Sequence, residues 1–304
     1  MTDPLSDVLS LLNARGTIFG RAEGGGDWCI ESGPYANLRF GSVLEGSCWL
    51  HVTGTEPPVH LQAGDCYLLT DGQPYRIASN LTLPPMDMRD VLAQVVNGFV
   101  RWSEPVDFQM VGGRFSLESL NASFLLDSLP PVIHIKVQGD ATNRLRWVRE
   151  AIVVEQRSDE AGSASMLEHL TQIMLIQMIR LYLSSGQSAP ARGWLAALAD
   201  AKVGGALAAM HSAPFEKWKL DTLADHVGMS RSALSLRFKT LVGTSPLHYL
   251  LHWRMRLAGH ALVETNATVS SIGLTHGYES ETAFSAAFKR VMGVSPRTYR
   301  STRT

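Results

Sequence analysis

Cysteine is scarce in this 304-residue chain, which holds Cys29, Cys48 and Cys66 and no Cys-x-x-Cys spacing. An odd, unpatterned set excludes a disulfide framework and suggests no zinc site. The expectation is three buried, reduced thiols in a cytoplasmic protein. Long apolar runs are missing too, since no stretch reaches the roughly 18 uncharged apolar residues that a membrane helix requires. The segment from Met1 to Ser10 carries Asp3 and Asp7 and lacks the basic start of a secretion signal. There is no His-x-His pair, and the nearest approach to a facial metal set is His51 and His60 with Glu56 or Asp65. That spacing departs from the usual arrangement of ligands, so no metal and no cofactor are expected.

What the chain does have is an uneven distribution of charge. The formal net charge is only −1, yet Ala213 to Thr304 holds 12 Lys/Arg against 6 Asp/Glu, leaving 15 against 22 in residues 1–212. A tail of net +6 on a body of net −7 is the footprint of nucleic-acid binding. The tail is also written twice. Phe238 matches Phe288, Lys239 matches Lys289, Gly243 matches Gly293, Ser245-Pro246 matches Ser295-Pro296 and Tyr249 matches Tyr299, each pair fifty residues apart. Two copies are too few for a solenoid, so a duplicated small unit is the better reading.

Each copy reads as two helices around a tight turn. Leu220, Leu223, Ala224 and Val227 fall at helical spacing before Gly228, and Ser230 can cap a helix through Leu234, Phe238 and Leu241. In the second copy Ile272, Gly273 and Gly277 lead to the capping pair Glu279-Ser280 and then to Phe284, Phe288 and Val291. His276 stands where the first copy has Val227, a polar replacement expected to weaken the second copy slightly. Phe238, Phe288, Leu234 and Phe284 are assigned to the core. A helix from about Pro246 to Leu262 joins the copies, with Trp253 and Met255 packing between them. Such a helix-turn-helix lays its second helix in the major groove, and two of them suit successive groove faces roughly 34 Å apart.

Upstream, residues from about Ile18 to Gln109 read as short strands punctuated by Gly, Pro, Asn and Asp, which argues for a small barrel or sandwich. A barrel of this size can hold one small ligand. Alternation puts Trp49 and His51 on one strand face, and with His60 and Tyr75 they form the candidate effector pocket. Helical patterns follow over about 143–157 and 164–184. In the longer one, Leu167, Leu170, Met174, Met178 and Leu181 form a heptad-like seam widened by Ile173 and Ile176. A helix apolar on more than one face is buried on more than one face, so one side can meet the barrel and another a second subunit. Ser184 to Ala191 is the natural linker, ahead of a short helix at Trp194 to Ala199.

Gly277-Tyr-Glu-Ser-Glu-Thr-Ala-Phe-Ser-Ala-Ala-Phe-Lys-Arg290, closing with Gly293-Val-Ser-Pro296 and Tyr299-Arg300, is close to the signature of the AraC/XylS family of bacterial transcription regulators. The resemblance covers residues 202–303. Val43-Leu-Glu-Gly-Ser-Cys-Trp-Leu50, Ala63-Gly-Asp65 and Leu129-Pro-Pro-Val-Ile133 resemble the subgroup with an N-terminal cupin-type domain. The expected fold is therefore α+β in two domains: a cupin-like β-barrel (about 18–135) plus a helical pair within residues 1–185, then residues 186–200 as linker and short helix, then an all-α domain over 201–304 with two helix-turn-helix units.

The resemblance implies base reading by Arg231, Ser232, Ser235 and Leu236 in the first copy, and by Ser280, Glu281, Thr282 and Ser285, beside Ala286, in the second. Many relatives place an arginine where Leu236 and Ala286 stand. Reading is thus expected to lean on Arg231 toward guanine, on Glu281 toward cytosine N4, and on Thr282. Arg237, Lys239, Lys289, Arg290, Arg297 and Arg300 are suited to the phosphate backbone. The resemblance further implies double-stranded promoter DNA, a small-molecule effector and RNA polymerase as partners, with a homodimer formed through helix 164–184. Two other classes stay open at this point: a metal-dependent cupin enzyme fused to a DNA-binding tail, and an architectural DNA binder indifferent to sequence.

Overall fold

The computed structural model describes residues 3–12, 14–117, 129–137, 139–158, 160–185 and 193–302. They form two compact units, one on the described residues between 14 and 185, the other on 193–302 together with an N-terminal helix α1 (Pro4–Leu12). The sequence reading grouped residues 1–185; the chain instead begins in the second unit and then enters the first. Residues 186–192 of the expected linker lie outside the described residues.

The first unit is built on two sheets. One orders β11 (Val132–Ile135), β6 (Cys66–Leu69), β3 (Leu38–Glu45), β10 (Phe108–Ser116), β1 (Arg15–Gly24) and β9 (Phe99–Arg101). The other orders β5 (Val59–Gln62), β4 (Ser47–Val52), β7 (Tyr75–Ala78), β2 (Cys29–Ser32) and β8 (Met86–Asp87), with a short helix α2 (Met88–Leu92) after β8. Pairing is antiparallel apart from β1 with β9 and β2 with β8. Both sheets turn apolar side chains into one core, with Ile30, Val43, Leu50, Leu61, Leu69, Ile77 and Phe108 among its members. The period-two pattern is plain in β4, where Cys48, Leu50 and Val52 are buried between Ser47, Trp49 and His51.

Two helices complete this unit, α3 (Asn143–Glu155) and α4 (Ser163–Ser184). Helix α4 crosses β1 closely enough that a Cβ on Gly16 would stand 2.2 Å from Thr171 Oγ1. The Thr171 hydroxyl turns back to the Leu167 carbonyl at 2.6 Å. Leu170, Met174 and Met178 of the expected seam are buried inside the unit, so the seam itself is not a free surface. All three cysteines are buried and free. Burial pushes the Cys48 thiol up to about 12 and Cys66 to about 11, which leaves them poor nucleophiles.

The second unit is all helical: α5 (Trp194–Ala199), α6 (Ala201–Ser212), α7 (Leu220–His226), α8 (Arg231–Val242), α9 (Pro246–Glu264), α10 (Val269–Thr275), α11 (Glu281–Met292) and α12 (Pro296–Ser301). Leu234, Phe238, Phe284 and Phe288 are fully buried, as the periodicity predicts. Met255, Leu262, Ile272, Phe284 and Phe288 share a core around the second copy. Trp253 leans the other way and stacks on His211 of α6 at 4.1 Å between ring centroids. Among the described residues no helix is long and apolar enough to cross a membrane.

His211 anchors a buried polar chain within this unit. Its Nδ1 lies 3.1 Å from Asp7 Oδ2 and its Nε2 2.7 Å from the Tyr249 hydroxyl, to which Trp194 Nε1 donates at 2.9 Å. One direction satisfies every link: Trp194 donates to Tyr249, Tyr249 to Nε2, and Nδ1–H to Asp7. Burial drives the His211 imidazole down to about 3 and the Asp7 carboxyl up. His276 is likewise buried; its Nδ1 meets the Ile272 carbonyl at 2.7 Å and its ring packs edge-on to Phe215 at 4.6 Å. The polar replacement at this position is therefore bonded and packed.

Candidate nucleic-acid interface and ligand cavity

Helices α7–α8 and α10–α11 are the two helix-turn-helix pairs. The turns need a left-handed residue, supplied by Gly228 at φ 62° and Gly277 at φ 84°. The next helix then starts on a serine in both copies: Ser230 Oγ accepts the Ala233 amide and Ser280 Oγ the Ala283 amide, each at 3.2 Å. Ser280 is therefore first a cap; its hydroxyl proton is left for another acceptor.

The faces beyond these caps match. In α8, Arg231, Ser232 and Leu236 are exposed and Ser235 is half-buried. In α11, Thr282 and Ala286 are exposed, Glu281 and Ser285 half-buried. Leu236 stands 71% exposed, which no core role explains. The equivalent first-turn positions 231 and 281 carry opposite charges. Each is held by a neighbour that sequence reasoning missed: Arg231 Nε lies 2.7 Å from Asp221 and Glu281 3.4 Å from Arg297. Exposed pairs of this kind are worth about 0–1 kcal/mol, so either side chain can exchange its partner for a base edge.

The six basic residues read as phosphate contacts divide in the structure. Lys239, Lys289, Arg290 and Arg297 are exposed. Arg237 donates to Asp200 Oδ2 from Nε at 2.9 Å and from Nη2 at 2.5 Å. Burial alone would raise the Asp200 carboxyl, but Arg237 and the amides of Lys202 and Val203 outweigh it and hold it low. Arg300 departs furthest from the sequence reading. Its Nε donates to the Leu262 carbonyl at 2.8 Å and its Nη2 to the Ala267 carbonyl at 2.5 Å, so it fastens α12 to the α9–α10 connection. A guanidinium spent on backbone carbonyls is a fastener, and Arg300 leaves the phosphate set on that ground.

In the sheet unit the candidate pocket residues separate. Trp49 is 39% exposed and lies over His60 at 4.7 Å, while His51 Nε2 meets Glu56 at 3.0 Å. Alternation does place Trp49 and His51 on one face, but that face is the outer one, opposite Cys48, Leu50 and Val52. Asp65 is engaged elsewhere, with His134 Nε2 at 2.8 Å. The possible metal set of His51, His60, Glu56 and Asp65 is thus dispersed, and among the described residues no three His, Cys, Asp or Glu side chains converge.

A largely apolar cavity lies on the inner face. It measures about 80 Å³ and is walled by Phe19, Phe40, Ile77, Val100 and Met110, with Ser32, Arg39, Tyr67 and Tyr75 supplying the polar atoms. Tyr75 alone of the four expected residues borders it. The readable signal was Arg39, a charge set in the otherwise largely buried run of β3.

A cupin family model matches residues 3–184 and a helix-turn-helix domain model matches residues 223–302. A putative AraC-like transcription regulator of Streptomyces lividans is 39% identical over 298 residues, covering 98% of both chains. The transcriptional regulator AlkR of Acinetobacter baylyi is 36% identical over 179 residues, 58% of each chain. Among solved structures, the DNA-binding domain of the global transcriptional factor AdpA in complex with a target DNA is 28% identical, covers 34% of this chain and 93% of its own, and has a TM-score of 0.32. With a cupin-type domain followed by twin helix-turn-helix units and a full-length relative at this identity, the chain belongs to the AraC-like transcription regulators, DNA-binding proteins and not enzymes.

Proposed function

We propose that α8 and α11 read two adjacent major-groove segments of one promoter, and that a small molecule in the cavity of the sheet unit adjusts how strongly they do so. The observation that carries the first part is the matched exposure beyond two serine caps, with Arg231 and Glu281 at equivalent positions. Arg231 suits guanine O6 and N7, Glu281 suits the cytosine amine, and Leu236 suits a thymine methyl. Lys239, Lys289, Arg290 and Arg297 would hold phosphates and set register. The inner-face cavity supports the effector role, being largely apolar with a few placed polar groups.

Pairing of two copies is part of this reading, through surfaces other than the buried seam. Trp147 and Val154, seven residues apart on α3, are exposed, as are Met166 and Ile173, seven apart on α4. Two apolar stripes at helical repeat suit a second copy of the chain. Activation by contact with RNA polymerase is the regulatory outcome in keeping with the family.

Selection of bound duplexes from a random pool, with and without small apolar molecules, tests the reading. An enriched bipartite site whose yield changes with one class of molecule is expected. Enrichment of no sequence at any salt concentration would sink it, because non-specific binding has no preferred site.

A further inference from the structure

Resting on the effector reading above, we propose that the cavity of the sheet unit takes a small monocarboxylate with an apolar tail, its carboxylate held by Arg39. Arg39 is the single charged residue bordering the cavity. Its Nε is cut off from water and has no hydrogen-bond partner. Among the described residues no carboxylate pairs with it; its guanidinium lies over the rings of Phe19 at 4.8 Å and Tyr35 at 5.6 Å. Those rings offset part of the cost of desolvating the cation, but they accept no hydrogen bond from Nε in the plane of the fork. Nε is out of reach even of a water-sized probe, so an anion in the cavity would be met by the outer nitrogens of the guanidinium, and a planar carboxylate is the ligand that such a fork matches.

The remaining walls specify the rest of the molecule. Tyr67 and Tyr75 border the cavity, and burial pushes both hydroxyls above their ordinary value, so they stay protonated and can donate. The rest of the wall is dominated by apolar side chains and favours a hydrocarbon tail. At about 10–15 Å³ for each water-sized group, the volume suits roughly five to eight non-hydrogen atoms. A cation would meet Arg39 unfavourably, and a polyol would find too few polar partners for its hydroxyls.

The test uses the full chain, with hexanoate and hexan-1-ol as matched probes at neutral pH, followed by calorimetry and by binding to a selected duplex. Hexanoate is expected to bind about tenfold or more tighter than hexan-1-ol, the range for a charge-assisted hydrogen bond. In Arg39→Met the two probes should bind alike, and Arg39→Lys, which keeps charge but loses the fork, should fall between. Equal binding of both probes by the wild type, binding of neither, or a preference for hexanoate surviving in Arg39→Met overturns the proposal. Should Arg39→Met fail to fold, the wild-type ratio and Arg39→Lys decide. Duplex affinity separates this from the reading beneath it. If hexan-1-ol binds as well and alters duplex binding, the effector role stands and the carboxylate is wrong. If hexanoate binds through Arg39 and duplex affinity does not move, the ligand is right and the effector role fails.

Discussion

On the proposed reading, single side chains divide the interface into groups that inform and groups that merely grip. Arg231 sits in the first turn of α8 with only the exposed Asp221 to release. Arg231→Ala should therefore relax the preference for one base pair and cost about 1–3 kcal/mol at that position. Lys289, exposed toward the end of α11, should behave differently: Lys289→Ala is expected to weaken all duplexes about equally and to lower the salt slope by about one. Competition titrations of both variants against the selected site and single-base changes would show the contrast. A reversed pattern would exchange the two roles.

Helices and strands were legible in the sequence wherever a period and a cap coincided. Phe238 and Phe288 at matching positions, with Ser230 and Ser280 ahead of them, place the second helix of each copy to within a residue or two, because local hydrogen bonds and one buried face decide such elements. What single-chain periodicity does not encode is which of two faces looks inward, and here the reading of β4 chose the outer one. Nor does it reveal how a side chain ends. Arg297 and Arg300 looked alike as basic residues, yet one is exposed and the other fastens α12 to the α9–α10 connection. Arg300→Ala should thus lower the unfolding free energy by about 1.5–3 kcal/mol, the worth of hydrogen bonds to a charged group. Arg297→Ala should change it by less than about 1 kcal/mol. Urea denaturation of both variants measures the difference, and equal effects would return Arg300 to the surface.

At the scale of the molecule, proton uptake and the proposed self-association carry the consequences. Burial depresses His211 to about 3 in the folded chain from an ordinary 6.5, and lowers His276 too. A histidine with a depressed folded value contributes stability that is present above 6.5 and is lost as pH falls through the interval down to about 3. Asp7, raised by burial, acts in the opposite sense at the acid end. Stability should accordingly decline from about pH 7 to about pH 5, by on the order of 1 kcal/mol per unit from His211. His211→Gln should flatten that slope in urea titrations at several pH values, and an unchanged slope would place the proton uptake elsewhere. The exposed pairs on α3 and α4 make the second prediction at this scale. Trp147→Glu with Val154→Glu should shift a dimer to monomer in sedimentation, and an unchanged mass would free those stripes from the assignment.

The opposite charges at 231 and 281 have a consequence for the promoter as well. If Arg231 and Glu281 read bases as proposed, one probe seeks acceptors and the other offers one, so the two are not interchangeable along the groove. A duplex with its halves transposed would then present each with the wrong partner and be a different ligand. Recognition of that kind would have polarity, with one heading of the protein along the duplex favoured over its reverse.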